Sequence, residues 1–358
     1  MMQDFKTEYI NRVTGMNILC DAFGRRINYL RMAVTDRCNL RCYYCMPDEN
    51  VSFSSRKEIL SIEEMLLLID ILAESGIGKL RLTGGEPLLR KGLFYFIKEV
   101  KAKSNIGQLT LTTNGVLLEE LIDELRDAGV DGINVSLDTL NDFKYKIITG
   151  KPYFKQVIRG IEKALSEGFN PIKINVVVVK GLNDDEILDF VNLTRDKPLI
   201  VRFIEYMPFN GKNWESRLSI STENVKGYIE GFFRLKRDAA DLSHNNYIPY
   251  ESKSRNINTR NQFKGCSTSE NFIIRGHAGK IGFIPSFSRR FCKNCNRIRI
   301  TTRGFLRLCL YSGEIFNLRD LIRSGSGRDE IRDYICAAVR HKPYNGLIAE
   351  ESGKSDKF

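Results

Sequence analysis

The 358-residue sequence has no run of about 18 consecutive apolar residues, which leaves no candidate for a membrane-spanning helix. Met1 to Ile10 lacks a basic-then-apolar secretion leader, and Asp4 and Glu8 interrupt any arginine-rich, acid-poor transit segment. Both absences point to the cytoplasm, where thiols stay reduced and disulfides are rare. No internal repeat of solenoid period is present. The most informative shortage concerns cysteine. Two sets of three are present, and neither has a well-spaced fourth member to close a metal site.

The first set is Cys38-x3-Cys42-x2-Cys45, with Tyr44 just before its last member. Three thiolates on one loop can ligate three irons of a four-iron, four-sulfur cluster and leave the fourth iron open. A cluster built only for electron transfer normally has four cysteine ligands. An open iron is a place for a small molecule to bind and react, and Tyr44 suits a loop that also lines a pocket. Zinc sites usually complete four ligands, often from C-x2-C pairs, and this spacing fits them poorly.

The second set is Cys292-x2-Cys295-x13-Cys309. On spacing alone, zinc and iron–sulfur remain open, with Cys266 and His277 as conceivable fourth ligands at awkward positions. A first open-iron cluster shifts the balance toward a second, whose open iron could hold a substrate nitrogen or oxygen. Arg297 and Arg299 follow Cys295 directly. In an extended segment they share one face, and two guanidinium forks there suit phosphate. Cys20, Cys266 and Cys336 are left over and read as free, mostly buried thiols.

Hydrophobic content of 42% and charged content of 28% are ordinary for a globular chain. The net charge of +11 admits nucleic acid or a small polyanion as partner. The basic residues within motifs stand singly beside glycine or cysteine. That suits a phosphate pocket better than the one-sided stripe of a nucleic-acid binder.

From residue 29 to 204, strand and helix signals alternate. Tyr29–Thr35 is an expected strand entering the first cysteine loop. Ser61-Ile62-Glu63-Glu64 is a capping box opening a helix to about Ser75. Further expected strands are Lys79–Thr83, Leu109–Thr113, Ile133–Leu137, Ile172–Val179 and Leu199–Ile204. The fifth reads as a β-branched run, as expected of a strand buried on both faces. Expected helices are Leu93–Lys103, Leu117–Ala128, Tyr153–Glu167 and one from Asp184 to about Thr194 capped by Asn183. Six such units predict a parallel sheet with right-handed crossovers, an incomplete (β/α)6 TIM-like barrel. The polar motifs of these units fall at strand C-termini, where parallel α/β folds place their chemistry. The alternation stops after Pro208. A helix at Thr222–Phe233, a hairpin of Phe272–Ile274 with Lys280–Ile284, and a polar surface loop at Tyr250–Asn261 follow. The expected organisation is an N-terminal extension (1–28), the partial barrel (29–208), a smaller cluster and substrate domain (209–330) and a tail (331–358).

The cysteine triplet carries the radical S-adenosylmethionine (SAM) signature. Several further segments match in register: Leu30–Cys38, Leu82–Leu88, Leu111–Gly115, Ile133–Asp138, Lys173–Val177, Arg202–Met207 and the second cysteine set. Over roughly residues 15 to 325 the chain resembles the GTP 3′,8-cyclases of molybdenum-cofactor biosynthesis. The resemblance implies a radical SAM barrel with a C-terminal domain carrying a second cluster. It implies two [4Fe-4S] clusters, on Cys38, Cys42 and Cys45 and on Cys292, Cys295 and Cys309. SAM would contact Tyr44, Gly85, Ser136 and Met207, with Gly84-Gly85 allowing close backbone approach to the SAM amino group. GTP would contact Arg31, Arg81, Thr112, Lys173, Arg297 and Arg299, with Arg202 nearby. A 5′-deoxyadenosyl radical would take hydrogen from ribose C3′, and that carbon would attack guanine C8. The implied partners are an electron donor and a downstream cyclic pyranopterin monophosphate synthase, with a homodimer compatible and neither nucleic acid nor membrane expected. Other readings are a radical SAM paralogue acting on another substrate, such as a peptide, and a zinc-stabilised basic nucleic-acid-binding protein. One departure stands out: the family ends in a Gly-Gly tail, whereas Glu351–Phe358 contains no glycine pair, which suggests a variant end or a paralogue.

Overall fold

The computed structural model describes residues 18–46, 52–207, 215–239, 269–288, 292–313 and 315–346. The loop expected at Tyr250–Asn261, Cys266 and the residues after Gly346 lie outside them. In chain order the strands and helices are β1 (Tyr29–Ala33), α1 (Ile62–Glu74), β2 (Lys79–Thr83), α2 (Leu93–Lys103), β3 (Gln108–Thr113), α3 (Leu118–Asp127), β4 (Gly132–Ser136), α4 (Asp142–Thr149), α5 (Phe154–Ser166), β5 (Ile172–Val178), α6 (Ile187–Asp196) and β6 (Leu199–Glu205). There follow α7 (Thr222–Glu230), β7 (Leu235–Arg237), β8 (Glu270–Ile274), β9 (Lys280–Ile284), β10 (Arg297–Ile300), β11 (Phe305–Arg307), β12 (Phe316–Asn317), α8 (Leu318–Arg323) and α9 (Arg328–Arg340).

The strands form one sheet in the order β12-β11-β10-β1-β2-β3-β4-β5-β6-β9-β8-β7. β1 to β6 are parallel neighbours in sequence order, joined by helical crossovers. β9 adds to β6 and β10 adds to β1, both in parallel. The residues after 209 therefore extend both edges of the barrel sheet, and antiparallel β8 and β11 follow on the outside. Among the described residues no helix is long and apolar enough to cross a membrane.

Period-two alternation gives the sheet two unlike faces. Leu30, Met32, Leu80, Leu82, Leu109, Leu111, Ile133, Val135, Ile172, Ile174, Val201, Phe203, Ile298 and Ile300 are all buried on one face, in the core shared with the helices. Each such side chain contributes about 1.5–3 kcal/mol on burial. The other face carries Arg31, Arg81, Thr112, Asn134, Lys173 and Arg202. β5 shows what this does to a strand: its residues alternate buried and half-buried. The expectation that β5 is buried on both faces is thereby corrected, because Lys173 and Asn175 interrupt the apolar run on the polar face.

The capping box at Ser61 forms as expected, with Ser61 Oγ accepting from the Glu64 N–H at 3.1 Å and Glu64 Oε2 accepting from the Ser61 N–H at 2.7 Å. Asn183 does not cap a helix. A short 3-10 turn, Asp184–Glu186, precedes α6, and the Asn183 amide instead accepts from Val179 N–H at 2.8 Å and donates to the Asp138 carbonyl at 2.6 Å. The helix α4, opened by Asn141 accepting from the Lys144 N–H, is an additional element absent from the sequence reading.

Candidate active site

The first cysteine loop leaves the C-terminal end of β1 and is pinned to the ends of β2, β3 and β4. The Gly85 N–H donates to the Thr35 carbonyl at 2.7 Å, and the Glu86 N–H donates to the Arg37 carbonyl at 2.7 Å. A Cβ on Gly84 (φ +149°) would stand 2.2 Å from the Thr35 oxygen, and one on Gly85 would stand 2.2 Å from the Arg37 oxygen. The glycine pair is thus required by the backbone of the cysteine loop itself. This is a reason for both glycines that the sequence did not display. Glu86 is fully buried and accepts from the Leu88 N–H, the Thr113 hydroxyl and the Asn114 N–H at 3.1, 2.8 and 2.7 Å. Burial outweighs those three bonds and pushes its carboxyl up to about 7.

Cys38 Sγ accepts from the Leu40 N–H at 3.5 Å and from the Asn114 amide at 3.7 Å. The Tyr44 hydroxyl donates to Asp138 at the end of β4, and burial pushes that phenol well up. Asp138 also accepts from the Val177 N–H at 2.8 Å, and burial pushes its carboxyl up to about 6. Burial likewise raises the Cys42 thiol, joined by the charges of Asp138, Cys45 and Cys38. The three thiols therefore feel one another. No disulfide involves them, and Asn114 and Leu40 supply donors suited to a sulfur anion. Among the described residues, no three Cys, His, Asp or Glu side chains are gathered closely enough to share a single ion. The donor set fits a cluster whose ligands stand on different irons.

On the polar face of the sheet, strand register puts the expected substrate cations in layers. Arg299, Arg31 and Arg81 lie side by side on β10, β1 and β2. Nearer the strand N-termini, Arg297, Tyr29 and Lys79 form a second row. Opposite them, Asn134 pairs with Lys173 and Asn175 with Arg202 in register. The Arg202 guanidinium donates to Asn134 Oδ1 at 2.7 Å, and the Asn134 amide donates to Thr112 Oγ1 at 3.3 Å. Arg81 donates to Thr110 Oγ1 at 3.2 Å. Gly282 of β9 leaves room for Ser269 and Asn271, whose side-chain oxygens would stand 2.2 and 2.5 Å from a Cβ there, with Arg202 Cγ next at 3.2 Å.

Arg81, Arg202 and Arg297 are each buried. Burial, reinforced by the neighbouring cations, lowers Lys173 to about 7, Lys79 to about 8, Arg202 to about 9 and Arg81 and Arg299 to about 10. The inward positions of the eight parallel strands hold no Asp or Glu. Arg31 Nε, Arg202 Nε and Asn175 Oδ1 are buried without a hydrogen-bond partner among the described residues. Concentrated buried cations without carboxylates call for an incoming polyanion.

The second cysteine set lies at the opposite end of the sheet from the first. Cys292 and Cys295 precede β10, and Cys309 follows β11, which runs antiparallel to it. The two layers of cations stand between the two sets. Arg25, just before β1, donates to the Cys292 carbonyl at 2.8 Å and to the Pro343 and Tyr344 carbonyls at 2.7 and 2.9 Å. The Gly346 N–H donates to Cys292 Sγ at 3.2 Å. Burial pushes the Cys295 thiol up, but Lys342, Arg297 and Arg299 together overcome that and hold it below its ordinary value. His277 is engaged elsewhere, with Nδ1 2.8 Å from Thr194 Oγ1 and its ring edge-on to Phe233.

Ser136 lies at the exposed end of β4 and Met207 just beyond β6, where the Tyr311 hydroxyl reaches its sulfur at 3.9 Å. Six residues at the site escaped the sequence reading as site residues: Tyr29, Lys79, Glu86, Asn114, Asp138 and Lys342. Period-two spacing from Arg31 and Arg81 would have found the first two. Glu86, Asn114 and Asp138 lie in the strand-end motifs, but their roles depend on partners distant in sequence, and Lys342 carries no local mark at all.

Residues 32–194 match the Radical SAM superfamily, and residues 199–347 match the Molybdenum Cofactor Synthesis C family. The structure of Streptococcus suis SuiB superposes with a TM-score of 0.58 at 12% identity, covering 97% of this chain and 78% of that one. The fold and the paired domains are those of a radical SAM enzyme. The GTP 3′,8-cyclase of Peptoclostridium acidaminophilum is 40% identical over 345 residues, 96% of this chain and 98% of that protein. Molybdenum cofactor biosynthesis protein 1 of Bos taurus is 40% identical over 324 residues, 90% of this chain, and the chain spans about half (48%) of that longer relative. The chain belongs to the GTP 3′,8-cyclase family.

Proposed function

We propose that the protein cyclises GTP to 3′,8-cyclo-7,8-dihydro-GTP, the first step toward the molybdenum cofactor. The observation that carries this reading is the pair of in-register cation rows between two three-cysteine sets. Arg31, Arg81, Arg297, Arg299, Lys173 and Arg202 would hold the triphosphate, and Thr112 would add a hydroxyl. Cys38, Cys42 and Cys45 would hold one [4Fe-4S] cluster, with SAM on its open iron beside Tyr44, Gly85, Ser136 and Met207. Cys292, Cys295 and Cys309 would hold a second cluster and anchor the guanine. When bound and reduced, the first cluster with SAM supplies a carbon radical able to take hydrogen from ribose C3′. The chain's own part is to fix ribose C3′ toward the first set and guanine toward the second, and to exclude water. A one-electron donor and an enzyme that converts the product to a pyranopterin are the partners this chemistry requires. No described cysteine forms a disulfide, which suits a reducing compartment such as the cytoplasm.

The test is anaerobic turnover of reconstituted, reduced protein with SAM, with and without GTP, followed by mass spectrometry. GTP-stimulated 5′-deoxyadenosine together with a cyclised isomer of GTP is the expected result. SAM cleavage that leaves GTP intact would overturn the substrate assignment and favour a paralogue.

A further inference from the structure

Tyr29 occupies the centre of the lower cation row, and the polyanion reading does not use it. Its side chain is 5% exposed, and its hydroxyl is buried without a hydrogen-bond partner among the described residues. Four cations surround the ring. Lys79 stands 5.1 Å from the ring centroid, Arg81 and Arg297 5.6 Å, and Arg31 5.7 Å. These come from every strand packed against it: Arg31 from β1, Lys79 and Arg81 from β2, and Arg297 from β10. Across the pocket, Lys173 of β5 and Arg202 of β6 also feel its charge. No Asp or Glu is among the charges acting on it. A phenol oxygen is thus the sole side-chain oxyanion available to this group of cations on β1, β2, β5 and β6 among the described residues.

We propose that Tyr29 serves as the internal counter-ion of the cationic pocket in the substrate-free protein, and that an incoming polyphosphate takes over this role and returns the ring to its phenol form. The inference rests on the reading of the pocket as a triphosphate site. Each binding event moves one proton from solvent onto the phenolate oxygen, with no change in bonds to carbon and no electron transfer. The phenol so formed has an O–H to donate to a phosphate oxygen, which satisfies the hydroxyl left orphaned in the free protein. Burial pushes the Tyr29 phenol up, but Arg81, Arg31, Lys79 and Arg297 overcome it and bring it down to about 7. Above that value, reprotonation costs the wild-type protein about tenfold in polyanion affinity per pH unit. Lys79 and Lys173 titrate nearby, so the diagnostic quantity is the difference between wild type and Tyr29→Phe.

The experiment is anaerobic calorimetry on the cluster-loaded full chain and on Tyr29→Phe, at about pH 6 and about pH 8.5, titrating GTP and, separately, inorganic tripolyphosphate. Iron content and the visible spectrum check that both proteins are equally loaded. The expected result is a sign change. Tyr29→Phe binds equally or more weakly at the lower pH, where it lacks the donated hydrogen bond, and about tenfold or more tightly at the higher pH, where it lacks the competing anion. Weaker binding by one common factor at both pH values would make Tyr29 a simple hydrogen-bond donor and overturn the proposal, as would unchanged affinity at both. Wild type that binds tripolyphosphate but not GTP would refute the GTP reading, and the tripolyphosphate titrations would then decide the role of Tyr29 alone.

Discussion

The Lys342 ammonium donates a hydrogen bond of 2.8 Å to the carbonyl oxygen of Arg297. It donates a second to the carbonyl of Leu308, and the side chain is 2% exposed. One buried cation thus ties the segment after α9 to the start of β10 and the end of β11, beside Cys295 and Cys309. Its charge also acts on Cys295 and Cys309.

Lys342→Ala is expected to leave two buried carbonyls unpaired and remove the cation beside two thiolates. An unsatisfied buried group costs about 1–3 kcal/mol, so a loss of a few kcal/mol is expected. Thermal unfolding and iron analysis check this: a lower Tm, with iron lost from the second set while SAM cleavage at the first persists. Full iron occupancy and an unchanged Tm would show that Lys342 supports neither.

Replacing both Arg297 and Arg299 by Ala removes two guanidiniums on the pocket face of β10. Charge-assisted bonds contribute about 1.5–3 kcal/mol each, so GTP affinity is expected to fall at least a hundredfold. Calorimetry measures it directly. Affinity within threefold of wild type would remove these arginines from the phosphate site.

Gly85→Ala places a methyl group 2.2 Å from the Arg37 oxygen and 2.5 Å from the Arg37 carbonyl carbon. Both are backbone atoms of the cysteine loop and cannot swing away. The loop is expected to shift and the first cluster to assemble poorly, read as roughly half the iron per chain of wild type if each set holds one four-iron cluster. Normal iron content with normal SAM cleavage would mean that the loop yields without consequence.

Lys173 sets a pH dependence of stability. Burial together with Arg202, Arg81 and Lys79 lowers it to about 7, against its ordinary 10.5. Between those values the unfolded chain holds more protons than the folded one, so stability rises with pH across the window. Below about 7 the lysine is charged in both states and its destabilisation is fully present. Lys173→Met is therefore expected to raise Tm at about pH 6.5 and flatten the slope from about pH 7 upward. Thermal unfolding at a series of pH values decides it, and an unaltered slope in the variant would assign the effect to other groups.

The strand and helix alternation, the helix opened by Ser61 and the two cysteine triplets were legible in the sequence, because each is a local pattern of spacing and side-chain type. β2 spans Lys79–Thr83 as read, and α2 spans Leu93–Lys103 as read. The packing role of Gly84 and Gly85 was not legible, because the carbonyls that require them belong to Thr35 and Arg37 on another strand end. Nor was the polar face of β5, where β-branched residues draw the eye from the three half-buried positions Lys173, Asn175 and Val177.

The chain's local chemistry determined which residues could hold iron, SAM and phosphate. Only tertiary pairing decided how they are arranged. Joining β10 to β1 and β9 to β6 places strands from the C-terminal part on both edges of the barrel, sets Arg299, Arg31 and Arg81 in one row, and sends the second cysteine set to the far end of the sheet. Contacts such as Arg25 to the Cys292 carbonyl span 267 positions along the chain. Such contacts depend on backbone hydrogen bonds between distant strands, whose register follows from burial of the whole apolar face rather than from any short stretch of residues.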